Sequence, residues 1–187
     1  SAPDARQLDA EVRRYLETAQ DVEITRVRAV IAPHAGYLCS GAIAGASFRA
    51  LQRAAVPAPQ DGPRVVYLMG PAHWQPVHGV GLSRAEAFAT PLGTVPLARE
   101  LNAQLLARRG QYNLADDAHA PEHALEVELP FLQVALGSFQ IVPMLFDDRA
   151  DPDAVAEDLG ALLAGRPGDV IVVSSDLSHY HSYQEAI

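Results

Sequence analysis

Apolar and polar positions alternate along this chain with two periods, and each change of period marks the end of an element. Leu8, Val12, Leu16 and Ala19 recur at helical spacing behind Asp4, a residue suited to cap a first helix. A strand is expected over residues 27–31. Ser40 is then read as the cap of a second helix running through Arg53, with Ile43, Ser47 and Leu51 on one face. The small residues Ala44, Gly45 and Ala46 would let that helix pack closely against a sheet. "AVPAPQDGP" is a loop, and "RVVYLMG" is a strand apolar on both faces, as a covered strand should be.

Farther on, "GVGLS" and "AFATPLGTV" read as short strands around a turn. "LARELNAQLLARRG" reads as a helix that presents Leu97, Leu101 and Leu105 and stops at Gly110. "EHALEVELPFLQVALG" reads as one helix, with Pro130 either kinking it or opening its second half. "FQIVPMLF" is a third buried strand. Asp151 caps "PDAVAEDLGALLAG", where Pro152 suits the first helical position, and "DVIVVSS" is a fourth strand. Strands alternating with helices of roughly 10–15 residues predict an α/β layered sandwich, a central mainly parallel β-sheet flanked by helices. Residues 1–187 are expected to form a single domain.

Composition narrows the functions open to such a domain. With 49% hydrophobic and 20% charged residues the chain can bury a core. A formal net charge of −9 excludes the basic face that nucleic acid or an anionic membrane surface would require. No apolar run approaches the roughly 18 residues of a membrane span, and the opening "SAPDARQLDAEVRR" carries charges where a signal peptide would be apolar. The lone Cys39 has no internal disulfide partner, in keeping with a reducing, cytoplasmic setting. At the start of a helix Cys39 could be reactive, but a small thiol packed under the loop is the simpler expectation.

Candidate chemistry gathers where strands end. "VIAPHAG" carries His34, "YLMGPAHW" carries His73, and "IVVSSDLSHYH" carries His179, each just past an apolar strand. In an open α/β sheet ligands bind outside the carboxyl ends of the strands, so three parallel strands would raise these imidazoles from one rim. Neutral imidazole binds iron, zinc and copper well. Each ligand also needs a partner for its second ring nitrogen, and Asp176, Ser174 and Ser175 are placed to serve near His179. Loop histidines with local hydrogen bonds are the alternative. In "PEHALEVELPFL", Glu122 and Glu126 would share a helix face and His123 lies three residues before Glu126, although a solvated acidic face over Leu125, Leu129 and Leu132 explains the same pattern. His78, His119 and His181 read as surface residues.

Taken together, "APHAGYLCSG", "GPAHW", "TPLGTVPL", "EHALEVELPFL", "IVPMLF" and "VVSSDLSHY" resemble, in order and spacing, the motifs of the Memo family. That family is similar to class III extradiol dioxygenases, non-haem iron enzymes with an α/β sandwich fold. The resemblance implies that His34 and His73 are metal-binding imidazoles and that His179 is an acid/base histidine. It further implies that His123 and Glu126, within the "EHSxE" pattern, line the same pocket. The implied ion is Fe(II), with copper as an alternative. The family's third ligand, the cysteine of a Cys-Gly motif, would lie beyond Ile187, so the chain is expected to lack the family's C-terminal part; Cys39 does not match that position.

Three functions compete at this stage. One is a metal-dependent oxidoreductase in which Fe(II) at His34 and His73 chelates a diol while His179 moves protons. Another is a non-catalytic module using the histidine-lined pocket for a phosphotyrosine peptide or for metal sequestration, as the resemblance also allows. The third is a zinc-type hydrolase with His179 or Glu126 activating water. The ligand itself, small molecule or peptide, is unspecified by the sequence.

Overall fold

The computed structural model describes residues 4–60, 62–108, 110–178 and 181–186. Helix α1 spans Ala5–Thr18, and Asp4 caps it by accepting a hydrogen bond from the Arg6 amide at 3.1 Å. Strand β1 is Ala29–Ala32 and helix α2 is Tyr37–Ala54. The α2 cap is Gly36 rather than Ser40. The Ser40 hydroxyl instead donates back to the Ala35 carbonyl, so it braces the preceding loop from inside the first turn.

Strands β2 (Arg64–Pro71), β3 (Val80–Leu82), β4 (Ala87–Thr90) and β5 (Gly93–Pro96) follow, and the last two form a separate antiparallel hairpin. Helix α3 covers Arg99–Leu106. Two short elements absent from the sequence-based expectation come next, strand β6 (Tyr112–Leu114) and helix α4 (Asp116–His119). Elements of three and four residues are too short to leave a periodic signal. The segment expected as one long helix is instead an irregular loop, a 3-10 turn over Glu126–Glu128, and helix α5 over Leu129–Leu136. Pro130 sits in the first turn of α5, where its missing N–H costs nothing. Strand β7 (Phe139–Phe146), helix α6 (Pro152–Ala164), strand β8 (Val170–Ser174) and helix α7 (Tyr183–Ala186) complete the order. Asp151 caps α6 by accepting from the Asp153 and Ala154 amides.

The main sheet has the order β1-β8-β2-β7-β3-β6. β1, β8, β2 and β7 run parallel, whereas β3 is antiparallel to β7 and parallel to β6. Because successive strand residues face opposite sides, β2 feeds two cores. Val66 and Leu68 join α1, α2 and α5 through Val12, Phe48, Leu51 and Phe131. Val65 and Tyr67 join α3 and α6 through Leu101, Leu105, Val155 and Leu159. The result is an α/β layered fold with helices on both faces of a mixed, mainly parallel sheet. Among the described residues no helix is long and apolar enough to cross a membrane.

Close helix packing occurs at an unexpected interface. Gly41 and Gly45, one turn apart on α2, both lie against Tyr15 of α1, so the small residues admit a helix rather than the sheet. Tyr15 answers by donating its hydroxyl to the Tyr37 carbonyl at 2.9 Å, which ties α1 to the start of α2.

Candidate metal centre

Parallel register brings the chemistry to one edge. Ala32 of β1 pairs with Ser174 of β8, and Met69 of β2 pairs with Val173, so the loops after all three strands leave the same side. The first loop carries His34, the second His73 and the third Asp176. His34 and His73 have ring centroids 5.1 Å apart, and His123 joins them at 5.0 Å from His73 and 5.8 Å from His34. His179 lies outside the described residues.

Glu122 organises the cluster. Its carboxylate accepts from the His73 amide at 2.7 Å and from the His123 and Ala124 amides at 2.9 Å each, and its Oε1 lies 2.9 Å from His73 Nδ1. These local bonds draw the chain around the carboxylate, and they account for the loop where periodicity suggested a helix. Burial pushes the Glu122 pKa up, but the hydrogen bonds from the His73 side chain and from the neighbouring amides outweigh it and hold the carboxyl ionised. With Nδ1–H of His73 directed at Glu122, its Nε2 is the nitrogen left with a lone pair.

Asp176 plays the matching part for the first loop. Its Oδ1 accepts from the His34 amide at 2.6 Å and the Ala35 amide at 3.0 Å, while Oδ2 lies 3.7 Å from His34 Nε2. The backbone reverses directly after it, with Leu177 in the left-handed region at φ 63°, at a cost on the order of 1 kcal/mol. His34 is buried, and that burial lowers its pKa against the opposing pull of Asp176, so the ring is neutral at pH 7. Ser174 places its Oγ 2.9 Å from His34 Nδ1; its expected partner His179 lies outside the described residues.

His73, Glu122 and His123 offer ligand atoms that all lie within 4.8 Å of one another. Two ligands each about 2.1 Å from an ion stand at most about 4.2 Å apart, so the group has nearly the dimensions of a coordination shell. Glu126, by contrast, is exposed at the start of the 3-10 turn. Cys39 is also exposed, contrary to the expected buried thiol; α2 starts four residues earlier than a Ser40 cap implies, so Cys39 lies within its first turn. His119 is half-buried, its Nε2 3.0 Å from the Gly81 carbonyl, so it is not a simple surface residue.

Two acids of the same segment escaped the reading as a solvated face. Glu122 is 6% exposed and Glu128 is fully buried. No local signal marked Glu128, since Glu126 also stands between two apolar residues, Leu125 and Val127, and is exposed. Glu128 has the opposite titration from Glu122. Burial raises its pKa from 4.5 to about 8, with support from the nearby Asp176 charge. A group raised on folding contributes stability that is present below its unfolded pKa and lost as pH rises through the folded one. Stability should therefore fall between about pH 4.5 and 8 with a slope of up to ~1.4 kcal/mol per pH unit, the single-proton limit. Glu128→Gln should flatten that slope in denaturant melts taken across the range; an unchanged slope would assign it to another group.

The Memo family model, described as Memo-like protein, matches residues 2–187. A MEMO1 family protein of Thermotoga maritima is 36% identical over 164 residues, covering 84% of this chain and 56% of the relative. One from Methanothermobacter thermautotrophicus is 35% identical, covering 83% and 55%. The "Protein memo-1 homolog" of Caenorhabditis elegans is 30% identical, covering 94% and 49%. The chain thus spans about half the length of the curated relatives it matches. A family match across nearly all of its residues, on the fold and loops described above, means that this chain belongs to the Memo family.

Proposed function

We propose that the chain provides the histidine part of a metal centre in a non-haem oxidoreductase related to class III extradiol dioxygenases, with Fe(II) as the ion and copper as its competitor. The observation that carries this reading is the convergence of His34, His73 and His123 from separate loops, each pair of rings within 5.8 Å. The donor set fits a first-row divalent ion: imidazoles with carboxylates beside them, one ring kept neutral by burial. His34 and His73 would hold the ion through Nε2, with His123 facing the same space. A thiolate from the part of the relatives' length that this chain does not span is the third ligand of this reading. When bound, the ion would supply open positions for a diol and dioxygen.

The protein's own residues set the terms of that chemistry. Glu122 fixes the His73 ring by its Nδ1 contact and keeps a negative charge beside it. Asp176 fixes the His34 loop through two amides, so the loops that carry the two imidazoles are held by different carboxylates. His179 would move the substrate proton.

Anaerobic titration of Fe(II) into the purified chain, with elemental analysis, tests the reading. His34→Ala and His73→Ala should each weaken binding by at least about tenfold, while His179→Asn should leave metal content near wild type and lower any oxidative turnover about 100-fold. Wild-type protein that takes up neither Fe(II) nor copper would overturn the metal reading. If such protein bound a phosphotyrosine peptide instead, the pocket would be a recognition site.

A further inference from the structure

Behind His34 lies a polar chain that leads away from the pocket into the core. Among the described residues Ser174 Oγ has three polar neighbours: the Ala124 carbonyl oxygen at 2.6 Å, Glu128 Oε1 at 2.9 Å and His34 Nδ1 at 2.9 Å. A hydroxyl carries one hydrogen and two lone pairs, so it can donate only once. A backbone carbonyl can only accept, and Ala124 makes the shortest of the three contacts. The single hydrogen of Ser174 therefore goes to Ala124, and both remaining neighbours must donate to Ser174.

We propose that Glu128 is a buried carboxylic acid whose proton is given to Ser174, and that this acid–hydroxyl pair is the positioning device that holds His34 as the Nδ1–H tautomer with its Nε2 lone pair facing the pocket. The competing proton placements fail on the same geometry. If Ser174 donated to an ionised Glu128, two oxygens would face each other at the 2.6 Å Ala124 contact with no hydrogen between them. If Ser174 donated to His34 Nδ1, both Ala124 and Glu128 would present lone pairs to a lone pair.

Burial points the same way. Glu128 is fully buried, and among the described residues its Oε2 has no hydrogen-bond partner. An orphaned oxygen of a neutral acid costs far less than that of a carboxylate. Among the described residues, the charged and titratable groups around it add no stabilising cation. Asp176 from the loop after β8 disfavours a second negative charge there, and burial raises the Tyr37 hydroxyl of α2 well above its ordinary value, so Tyr37 brings no charge.

The proton placement stands on the Ser174 contacts alone; its consequence for a metal-binding Nε2 rests on the proposed function. Infrared spectra of the metal-free chain at pH 7 should contain a protonated-carboxyl stretch that disappears in Glu128→Gln. In Glu128→Gln the amide can still donate to Ser174, so nitrogen NMR of labelled histidine should find His34 protonated at Nδ1 in both proteins. Should the variant not fold, the side-chain carboxyl carbon shift of Glu128 in wild-type protein reports the same proton. An ionised Glu128 at pH 7, or a His34 protonated at Nε2, overturns the proposal and leaves the metal reading standing. Failure to bind Fe(II) with both signatures present overturns the metal reading alone.

Discussion

Glu122→Ala is expected to destabilise the protein by about 4 kcal/mol, a large effect for one side chain in a loop. The carboxylate is the shared acceptor of the His73, His123 and Ala124 amides and of the His73 ring. Charge-assisted bonds of this kind contribute about 1.5–3 kcal/mol each in mutational series, and donors left without an acceptor bear a desolvation cost as well. The control lies four residues away. Glu126 is exposed, so Glu126→Ala should stay within about 0.5 kcal/mol of wild type. Denaturant melts of the two variants decide the point, and a Glu122→Ala loss below about 1 kcal/mol would show that the loop is held by other contacts. The acid limb carries a second signature. Glu122 is depressed on folding, so its contribution is present above about pH 4.5 and is lost as pH falls through its folded value. Wild-type stability should fall more steeply in acid than that of Glu122→Gln.

Gly45→Ala should cost about 3 kcal/mol although it adds a single methyl group to a helix. A Cβ at Gly45 would sit 2.6 Å from the Tyr15 carbonyl oxygen and 2.8 Å from its carbon, both backbone atoms that cannot yield without moving α1. Gly41→Ala meets the Tyr15 ring at 2.6 Å, and a ring can turn, so the expected loss there is smaller. Gly160 in α6 has open space around its Cβ position and is exposed, so Gly160→Ala should stabilise by about 0.5–1 kcal/mol through helix propensity. Thermal melts of the three variants would rank them in that order. Equal losses at Gly45 and Gly160 would mean that the contact between α1 and α2 is looser than these distances.

The sequence carried the long elements because each satisfies its physics locally. Asp4 and Asp151 bond amides within three residues, and the runs in β2, β7 and β8 are apolar on both sides because helices cover both faces. Parallel strands then oblige the residues after Ala32 and Pro71 to emerge at one edge, which is why His34 and His73 could be paired from their positions alone. The histidine of "PEHALEVELPFL" also lies beside them, though its element was misread as a continuous helix.

What the sequence left open depends on partners distant along the chain. Glu122 and Glu128 are both acids in one helical-looking segment, and nothing local separates them from Glu126. Their difference comes from His73 at the end of β2 and from Ser174 at the end of β8, which meet the segment only after the sheet has formed. The same holds for Asp176, whose partners His34 and Ala35 are 142 and 141 residues away, and for Gly45, which receives α1 where sheet packing was expected. By itself the sequence determined most of the long helices and strands and which strand ends carry His34 and His73, since propensity, capping and periodicity act over a few residues. Only the tertiary structure decided which acid is ionised, which is neutral and which histidine each one orients, because desolvation and hydrogen bonding depend on what the fold brings alongside.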